Sequence, residues 1–454
     1  MKGLEVSEVW LSELDIYKRV DAELYNKNFA LFKTAIKHIS YTNFSNECLV
    51  IKKGIFDIKS NCYCGSGIPF VRISNLKNMV IDTSEIVYIS DEENRRNYKT
   101  ELSKGDIILS KTAIAVASIV NLEKCNVSQD TIAIKLKQDS KVLSHYVVVF
   151  LNTKYGLEQL QRRFTGNIQM HLNLEECKNE ILIPIFSIEF QKQVQRIFEK
   201  SIAFGKESTQ LYAAAENQLL SELGLKDWQT KNENINVKAL KESFLSSGRL
   251  DAEYYQSKYD ALFAQLSNYE CNTLKQIVNI NKSVEPGSDA YQDNGIPFVR
   301  VSDVDKFGIS DPNIFLSPDD FDLQELRPKK DTILLSKDGS VGIAYKVEKD
   351  LDCITSGALL HLTVFNQDYN PDYLTLVLNS KIVKMQAERD ANGAIIQHWK
   401  PSEIEQVIIP KLPKSIQDEI SSKIQKSFAL KAESKRLLEE AKMMVEKGIE
   451  KGGE

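Results

Sequence analysis

The chain has 454 residues, 42 % hydrophobic and 27 % charged, with 20 Gly and 11 Pro. This composition belongs to a globular protein and excludes disorder, a collagen-like repeat and a disulfide scaffold. Lys and Arg number 58 against 63 Asp and Glu, a net charge of −5. Averaged over the chain, that charge argues against nucleic-acid binding, because phosphate contacts want a basic surface. The seven Cys are odd in number and thinly spread, as expected of reduced thiols. Cys62 and Cys64, the one close pair, have no His nearer than His38 and are read as strand-flanking small residues, not metal ligands. Met1–Glu5 lacks the apolar core of a signal peptide, and no run of about 18 apolar residues exists. A cytoplasmic protein without membrane association is expected.

In chain order, Ala22, Tyr25, Phe29, Phe32 and Ile36 recur at steps of three and four and predict a helix over Asp21–Ile39. The β-branched runs Ile68–Ile73, Asp106–Leu109, Thr131–Lys135 and Ile181–Ile183 read as strands, with a further helix near His145–Phe164. After Pro184, the residues Phe190, Val194, Ile197, Phe204, Leu211 and Ala215 keep a 4-3 rhythm, with Ser201 and Ser208 as small interruptions. Gly224 ends that helix, and a polar linker follows. The second half repeats the scheme with helix Asp251–Leu266, strands Thr332–Leu335 and Leu359–Val364, and helix Pro371–Ala391. After Pro413 a second long helix carries Ile416, Ile420, Ile424, Phe428, Leu437, Leu438, Ala441 and Val445. Each long helix is a rod of about 50 Å at 1.5 Å per residue. An apolar stripe of period near 3.5 on a charged helix asks for a partner helix, and the duplicate rod is the matching one.

The recurrence extends to motifs. Gly67-Ile-Pro-Phe-Val-Arg-Ile-Ser74 returns as Gly295-Ile-Pro-Phe-Val-Arg-Val-Ser302, and Arg19-Val-Asp-Ala-Glu-Leu-Tyr25 as Arg249-Leu-Asp-Ala-Glu-Tyr-Tyr255. Ile107-Ile-Leu-Ser-Lys111 returns as Ile333-Leu-Leu-Ser-Lys337, Gly166–His171 as Gly393–His398, and Ile183-Pro184 as Ile409-Pro410. Five landmarks in one order, spaced by half the chain, describe a tandem duplication and not a solenoid of short repeats. The expected fold is α+β: globules over 1–183 and 225–410, with long helices over 184–224 and 411–454 pairing as an antiparallel coiled coil.

Catalytic signatures are missing. Gly205-Lys206 is followed by Glu207, so there is no phosphate-cradling Gly-Lys-Ser/Thr loop. Gly65-Ser-Gly67-Ile-Pro-Phe70 puts Phe where a dinucleotide loop packs its third glycine, and it precedes a strand. Asn370-Pro-Asp-Tyr373 lacks the second proline of a base-gripping Asn-Pro-Pro-Tyr loop and reads as a turn that opens a helix. Pro318-Asp319 and Pro371-Asp372 have no acidic-x-Lys nearby downstream, and five His without Cys/His clusters leave nothing for zinc. No catalytic residue, metal or cofactor is expected on this chain.

The duplicated motifs instead carry groups suited to nucleic acid. Arg72, Ser74 and Asn75 match Arg300, Ser302 and Asp303; Arg reads guanine, Asn adenine, and Asp accepts from cytosine. An arginine paired with an acid at a strand end explains the same pattern. Lys111 and Thr112 match Lys337 and Asp338, where Lys and Ser/Thr types suit phosphate or base-edge contact. Gln169 and His171 match Gln397 and His398, the latter followed by Trp399, on a Gly-led loop that a capped hairpin also explains.

Arg249-Leu-Asp-Ala-Glu-Tyr-Tyr255, the doubled Gly-Ile-Pro-Phe-Val-Arg, the Leu-Ser-Lys337 strand and the long helices after Pro184 and Pro410 resemble the specificity subunit of a type I restriction–modification enzyme. The resemblance spans essentially the whole chain. It implies two tandem target-recognition domains, each reading one half of a bipartite site in double-stranded DNA. It implies paired helices acting as ruler and as docking site for two methyltransferase (modification) subunits, then for restriction/translocase subunits. S-adenosylmethionine, ATP and Mg²⁺ would belong to those partners. Two other classes stand against it: a self-contained enzyme, disfavoured by the missing motifs, and a coiled-coil interaction scaffold without DNA reading, favoured by the acidic charge.

Overall fold

The structure is a computed structural model and describes residues 8, 10, 11, 32, 36–77, 79–112, 115–165, 171–229, 235–321, 324–391 and 397–452. Two compact units form, one from Met1–Gly205 with Ala432–Glu454 and one from Lys206–Lys431. The helix expected over Asp21–Ile39 lies outside the described residues except for helical Phe32 and a tight turn at Ile36–His38.

In the first unit the β-branched runs become strands β1 Cys48–Lys53, β2 Ile68–Val71, β3 Val87–Ile89, β4 Ile107–Ser110, β5 Ala117–Ile119, β6 Lys124–Val127 and β7 Thr131–Leu136. One antiparallel sheet runs β5-β4-β7-β1. In another, β2 lies antiparallel to β3 and parallel to β6. Helices α1 Ser144–Leu151 and α2 Lys154–Gln161 follow, then the long helix α3 Ile188–Glu222. Side chains alternate across the first sheet. Ile107, Leu109, Ile132 and Ile134 pack with Tyr146, Val149 and Phe150 of α1, while Ile108 and Ala133 pack with Val71 and Val127 of the second sheet. With both faces covered, β4 reads as an unbroken apolar run, and burying each of its large side chains contributes about 1.5–3 kcal/mol.

The single helix expected near His145–Phe164 is two. Asn152 Nδ2 donates to Ala117 O at 2.8 Å, and Thr153 Oγ1 accepts from Gly156 N at 3.3 Å, capping α2. A Cβ on Gly156 would lie 2.3 Å from Phe150 O, so the corner requires glycine. Phe164 falls in a short strand beyond it.

The second unit holds α4 Ser257–Leu266, β8 Val278–Lys282, β9 Ile296–Val299, β10 Phe315–Leu316, β11 Ile333–Ser336, β12 Ala344–Lys346, β13 Ile354–Thr355, β14 Leu359–Val364, α5 Pro371–Asn379, α6 Lys381–Asp390 and the long helix α7 Lys414–Glu450. Its first sheet runs β8-β14-β11-β12, and β9 lies antiparallel to β10 and parallel to β13. Helix Pro371–Ala391 is likewise two helices, broken where Ser380 Oγ donates to Val377 O at 2.7 Å and accepts from Ile382 N at 3.3 Å. Here Asn379 Nδ2 donates to Ala344 O at 2.7 Å, as Asn152 does to Ala117 O.

Each unit pairs half of α3 with half of α7, antiparallel. In the first, Ser201 Oγ donates to Ser434 O and Ser434 Oγ to Ser201 O, both at 2.7 Å. In the second, Ser427 Oγ donates to Ser208 O at 2.7 Å. The serines read as interruptions are therefore hydrogen-bonded contacts between the paired helices. The buried seam of α3 is Gln191, Val194, Phe198, Ser201, Ser208, Tyr212, Ala215 and Leu219. It keeps Val194, Ala215 and both serines of the expected stripe but runs through Gln191, Phe198 and Tyr212, leaving Phe190, Ile197, Phe204 and Leu211 half-buried on its flanks. Gln191 Nε2 donates to Phe186 O and Lys141 O, and its Oε1 accepts from Leu143 N. Gln417 repeats this with Leu412 O, Asp368 O and Asn370 N. Each glutamine clasps a long helix to its own globule.

Candidate nucleic-acid interface

Strands β2 and β9 stop at Val71 and Val299 because the next residues form a tight turn. Asn75 Oδ1 accepts from Arg72 N at 2.9 Å and its Nδ2 donates to Asp82 O at 3.1 Å. Asp303 Oδ2 accepts from Arg300 N at 2.8 Å. Asn75 is 3 % exposed, so its amide closes the turn and is not presented to a base. Asp303 does the same work, so the Asn/Asp difference expected to separate two base readers changes the closing group of one turn. The arginines stay outside. Arg72 Nη2 donates to Glu85 O at 3.1 Å, and Arg300 Nε lies 3.8 Å from Asp303 Oδ2 with its side chain 42 % exposed. Ser74 and Ser302 are exposed beside them.

A second edge adjoins each turn. Ser128 N donates to Val71 O and Lys111 N to Asp130 O; Ser356 N donates to Val299 O and Lys337 N to Ala358 O, all at 2.8–2.9 Å. One short loop thus holds the arginine turn and the lysine strand end together in each unit. The downstream motif joins the same edge. Thr112 bridges to His171 and Asp338 to His398, while Leu172 N donates to Lys111 O and Trp399 N to Lys337 O. Gln169 lies outside the described residues. Gln397 is exposed, and its carbonyl accepts from Gly339 N at 2.9 Å. Trp399 is 1 % exposed, a core side chain that cannot stack on a base.

Charge differs between the two edges. Lys337 is 9 % exposed and ion-paired with Asp338, whose Oδ1 also lies 2.9 Å from His398 Nδ1. Lys337 therefore cannot reach a phosphate. Lys111 is half-buried beside Thr112. Burial, and then the positive charge of Lys53, hold its ammonium below the ordinary lysine range against a weaker opposing pull from Asp130. Lys53, Lys111, Thr165, His171, Asn173 and Glu175 line an open cleft of about 440 Å³. Lys53, at the end of β1, was not among the candidates read from the sequence. Its counterpart Lys282, at the end of β8, is exposed too, and the recurrence of a strand-final lysine at 53 and 282 was the available signal.

Other singled-out segments are structural. Asn370 Oδ1 accepts from Asp372 N at 2.9 Å and caps α5, with Pro371 in its first turn. Arg249 pairs with Asp251 at 2.6 Å, donates to Asp390 O at 2.9 Å and stacks on Tyr254, a clamp onto α6. All seven cysteines are free. Among the described residues no group of three His, Cys, Asp or Glu could hold a metal, and no helix is long and apolar enough to cross a membrane.

Residues 267–442, covering β8 to most of α7, match the family described as the type I restriction modification DNA specificity domain. This stretch of the chain carries a type I restriction–modification specificity domain. The chain is similar to the type I restriction–modification S subunit from M. genitalium, at 14 % identity and a TM-score of 0.44, over 92 % of this chain and 96 % of that one. It is also similar to the HsdS subunit from Thermoanaerobacter tengcongensis, at 16 % identity and a TM-score of 0.30, over 90 % and 96 %. No curated protein matches it.

Proposed function

We propose that the chain is the non-catalytic specificity subunit of a type I restriction–modification enzyme and reads a bipartite site in double-stranded DNA, one half with each unit, through tandem target-recognition domains over 1–183 and 225–410. The observation that carries this is the shared edge: in each unit an arginine turn, a lysine-bearing strand end and a histidine segment meet around one short loop. Arg72 and Arg300 are the base-reading candidates, with Ser74, Ser302, Gln397 and His398 exposed beside them. Helices 184–224 and 411–454 serve as spacer; a rod of about 50 Å spans roughly 15 base pairs at 3.4 Å each. The same helices dock two modification subunits and then restriction/translocase subunits, and the assembly works in the cytoplasm. The net charge of −5 is spread over globules and rods alike and does not describe the DNA-facing edges, but it makes the isolated chain a weak, salt-sensitive binder.

The test is to map methylated positions genome-wide in cells that carry the chain with its modification subunit. Two half-sites separated by a fixed gap are expected. Modification that tolerates a two-base change of the gap overturns the spacer role. Binding that ignores sequence favours the scaffold reading.

A further inference from the structure

Among the described residues, Lys53 and Lys111 of the first unit lie near one another with no acid in ion-pair contact. Among the described residues neither the Lys53 nor the Lys111 amine has a hydrogen-bond or ion-pair partner, and both line the cleft beside His171. Glu175, on the same wall, is already ion-paired with Lys178 at 2.7 Å. His171 keeps a buried Nδ1 without a hydrogen-bond partner. Buried polar atoms in folded proteins almost always have partners, and here the described residues supply none.

The second unit supplies such a partner. There the matching histidine, His398, meets the carboxylate of Asp338 through the same ring atom, Nδ1, at 2.9 Å. The other oxygen of that carboxylate pairs with Lys337, the counterpart of Lys111. Both histidines are tied to the adjacent strand end by the same bridge, Thr112 to His171 and Asp338 to His398. An oxyanion therefore sits between lysine and histidine in one unit, supplied by the chain, while the other unit has Thr112 in the acid's place.

We propose that the cleft formed by Lys53, Lys111 and His171 binds one backbone phosphate of the DNA duplex, the role that Asp338 fills internally in the second unit. This rests on the DNA-reading function proposed above. A phosphodiester oxygen accepts from Lys111, with the His171 ring on the wall beside it, and Lys53 adds charge. The first unit thereby grips the backbone at a point where the second neutralises its strand-end lysine internally. Phosphate contacts position a protein on DNA without reading sequence, so this unit anchors the register in which both units read.

The experiment measures binding of the full chain, assembled with its modification subunit, to a duplex carrying the mapped site and to a scrambled duplex over a range of KCl. Each neutralised phosphate contributes about 0.9 to the slope of log K against log salt. Thr112→Asp and Lys111→Gln are each expected to lower that slope by about 1 and to weaken both duplexes equally. Thr112→Asn, of the same size as the aspartate but uncharged, should keep the wild-type slope. Single methylphosphonate substitutions along the duplex, probed with the wild-type assembly and with the Thr112→Asp assembly, need no comparison of stabilities. One neutralised position should weaken wild type and leave Thr112→Asp unaffected. If the wild-type assembly discriminates the duplexes but Thr112→Asp and Thr112→Asn share one slope and one methylphosphonate pattern, the phosphate site is wrong and the DNA-reading function stands. If the wild-type assembly discriminates nothing, the DNA-reading function falls, and the phosphate site with it.

Discussion

The two units share strand order, helix breaks and glutamine clasps, yet they fill equivalent interior positions with different chemistry. At the last residue of the edge strand, β5 ends in Ile119 and β12 in Lys346. The second residue of the following helix is His145 in α1 and Asp372 in α5. Lys346 Nζ lies 3.0 Å from Asp372 Oδ1, and Asp372 Oδ2 accepts from Ser421 and Gln425 of α7 at 2.7 and 2.8 Å. The first unit has no such ion pair there; His145 stands 3.7 Å from Glu199 of α3, and burial lowers its basicity against that carboxylate's pull. Deeper in the sheet, Ala133 and Val127 face one another's layer in the first unit, where the second has His361 hydrogen-bonded to Thr355 at 2.7 Å. One frame therefore tolerates apolar, ionic and hydrogen-bonded fillings, provided each polar group finds a partner.

The largest way to break this comparison is to give the second unit half of the first unit's filling. Lys346→Ile strands the buried Asp372 carboxylate, whose charge loses its counterion. Removing one partner of a buried pair costs about 3–5 kcal/mol, whereas replacing both can be neutral. Denaturant unfolding should show that loss for Lys346→Ile and recover most of it in Lys346→Ile with Asp372→Asn. Equal stability of the single variant and wild type would mean that Asp331 and Glu348, also within 3.4 Å of Lys346, and not Asp372, hold the charge in place.

His361 supplies a pH-dependent version of the same contrast. Burial pushes its pKa down to about 4 from an unfolded value near 6.5. The unfolded chain then binds more protons than the folded one, so stability is full above pH 6.5 and falls as pH drops through the window from 6.5 to about 4. The full loss is about 3 kcal/mol at 1.36 kcal/mol per pKa unit. Urea midpoints between pH 7 and pH 4.5 should fall more steeply for wild type than for His361→Ala, which restores the residue found at position 133. Parallel curves would assign the acid sensitivity to other groups.

The sequence pattern revealed the strands, the long helices and the edge motifs, because apolar periodicity and near-identical strings survive in both halves. It could not separate residues that present a group from residues that bury it. Asn75 and Asp303 have the types of base readers, but a short polar side chain three residues after an extended residue also closes a turn. Lys337 matches Lys111 letter for letter, but it is buried and paired with Asp338 where Lys111 is followed by Thr112. Lys53 and Lys282 escaped notice because Ile51-Lys-Lys-Gly54 and Ile280-Asn-Lys-Ser283 share too little to stand out. The helix seam was legible at Val194 and Ala215, with Ser201 and Ser208 as its small breaks, but Gln191 is a polar letter in a buried place, and hydrophobicity alone assigns it to the surface.

The smallest expected effect is the most specific to function. Arg72 and Arg300 occupy the same turn, but one guanidinium is held by a carbonyl, Glu85 O, and the other rests near an acid, Asp303. If each reads its own half-site, Arg72→Ala and Arg300→Ala should weaken binding by about 1–3 kcal/mol and relax sequence preference only in the half that each contacts. Methylation rates on duplexes altered in one half or the other separate the two effects. The turn itself should survive, because Asn75 and Asp303 close it through the backbone amides of residues 72 and 300, which alanine keeps. Loss shared equally between the halves would show that these arginines support assembly and leave base reading to other residues. Loss confined to one half for each variant would assign the two halves of the site to the two units and fix their order along the DNA.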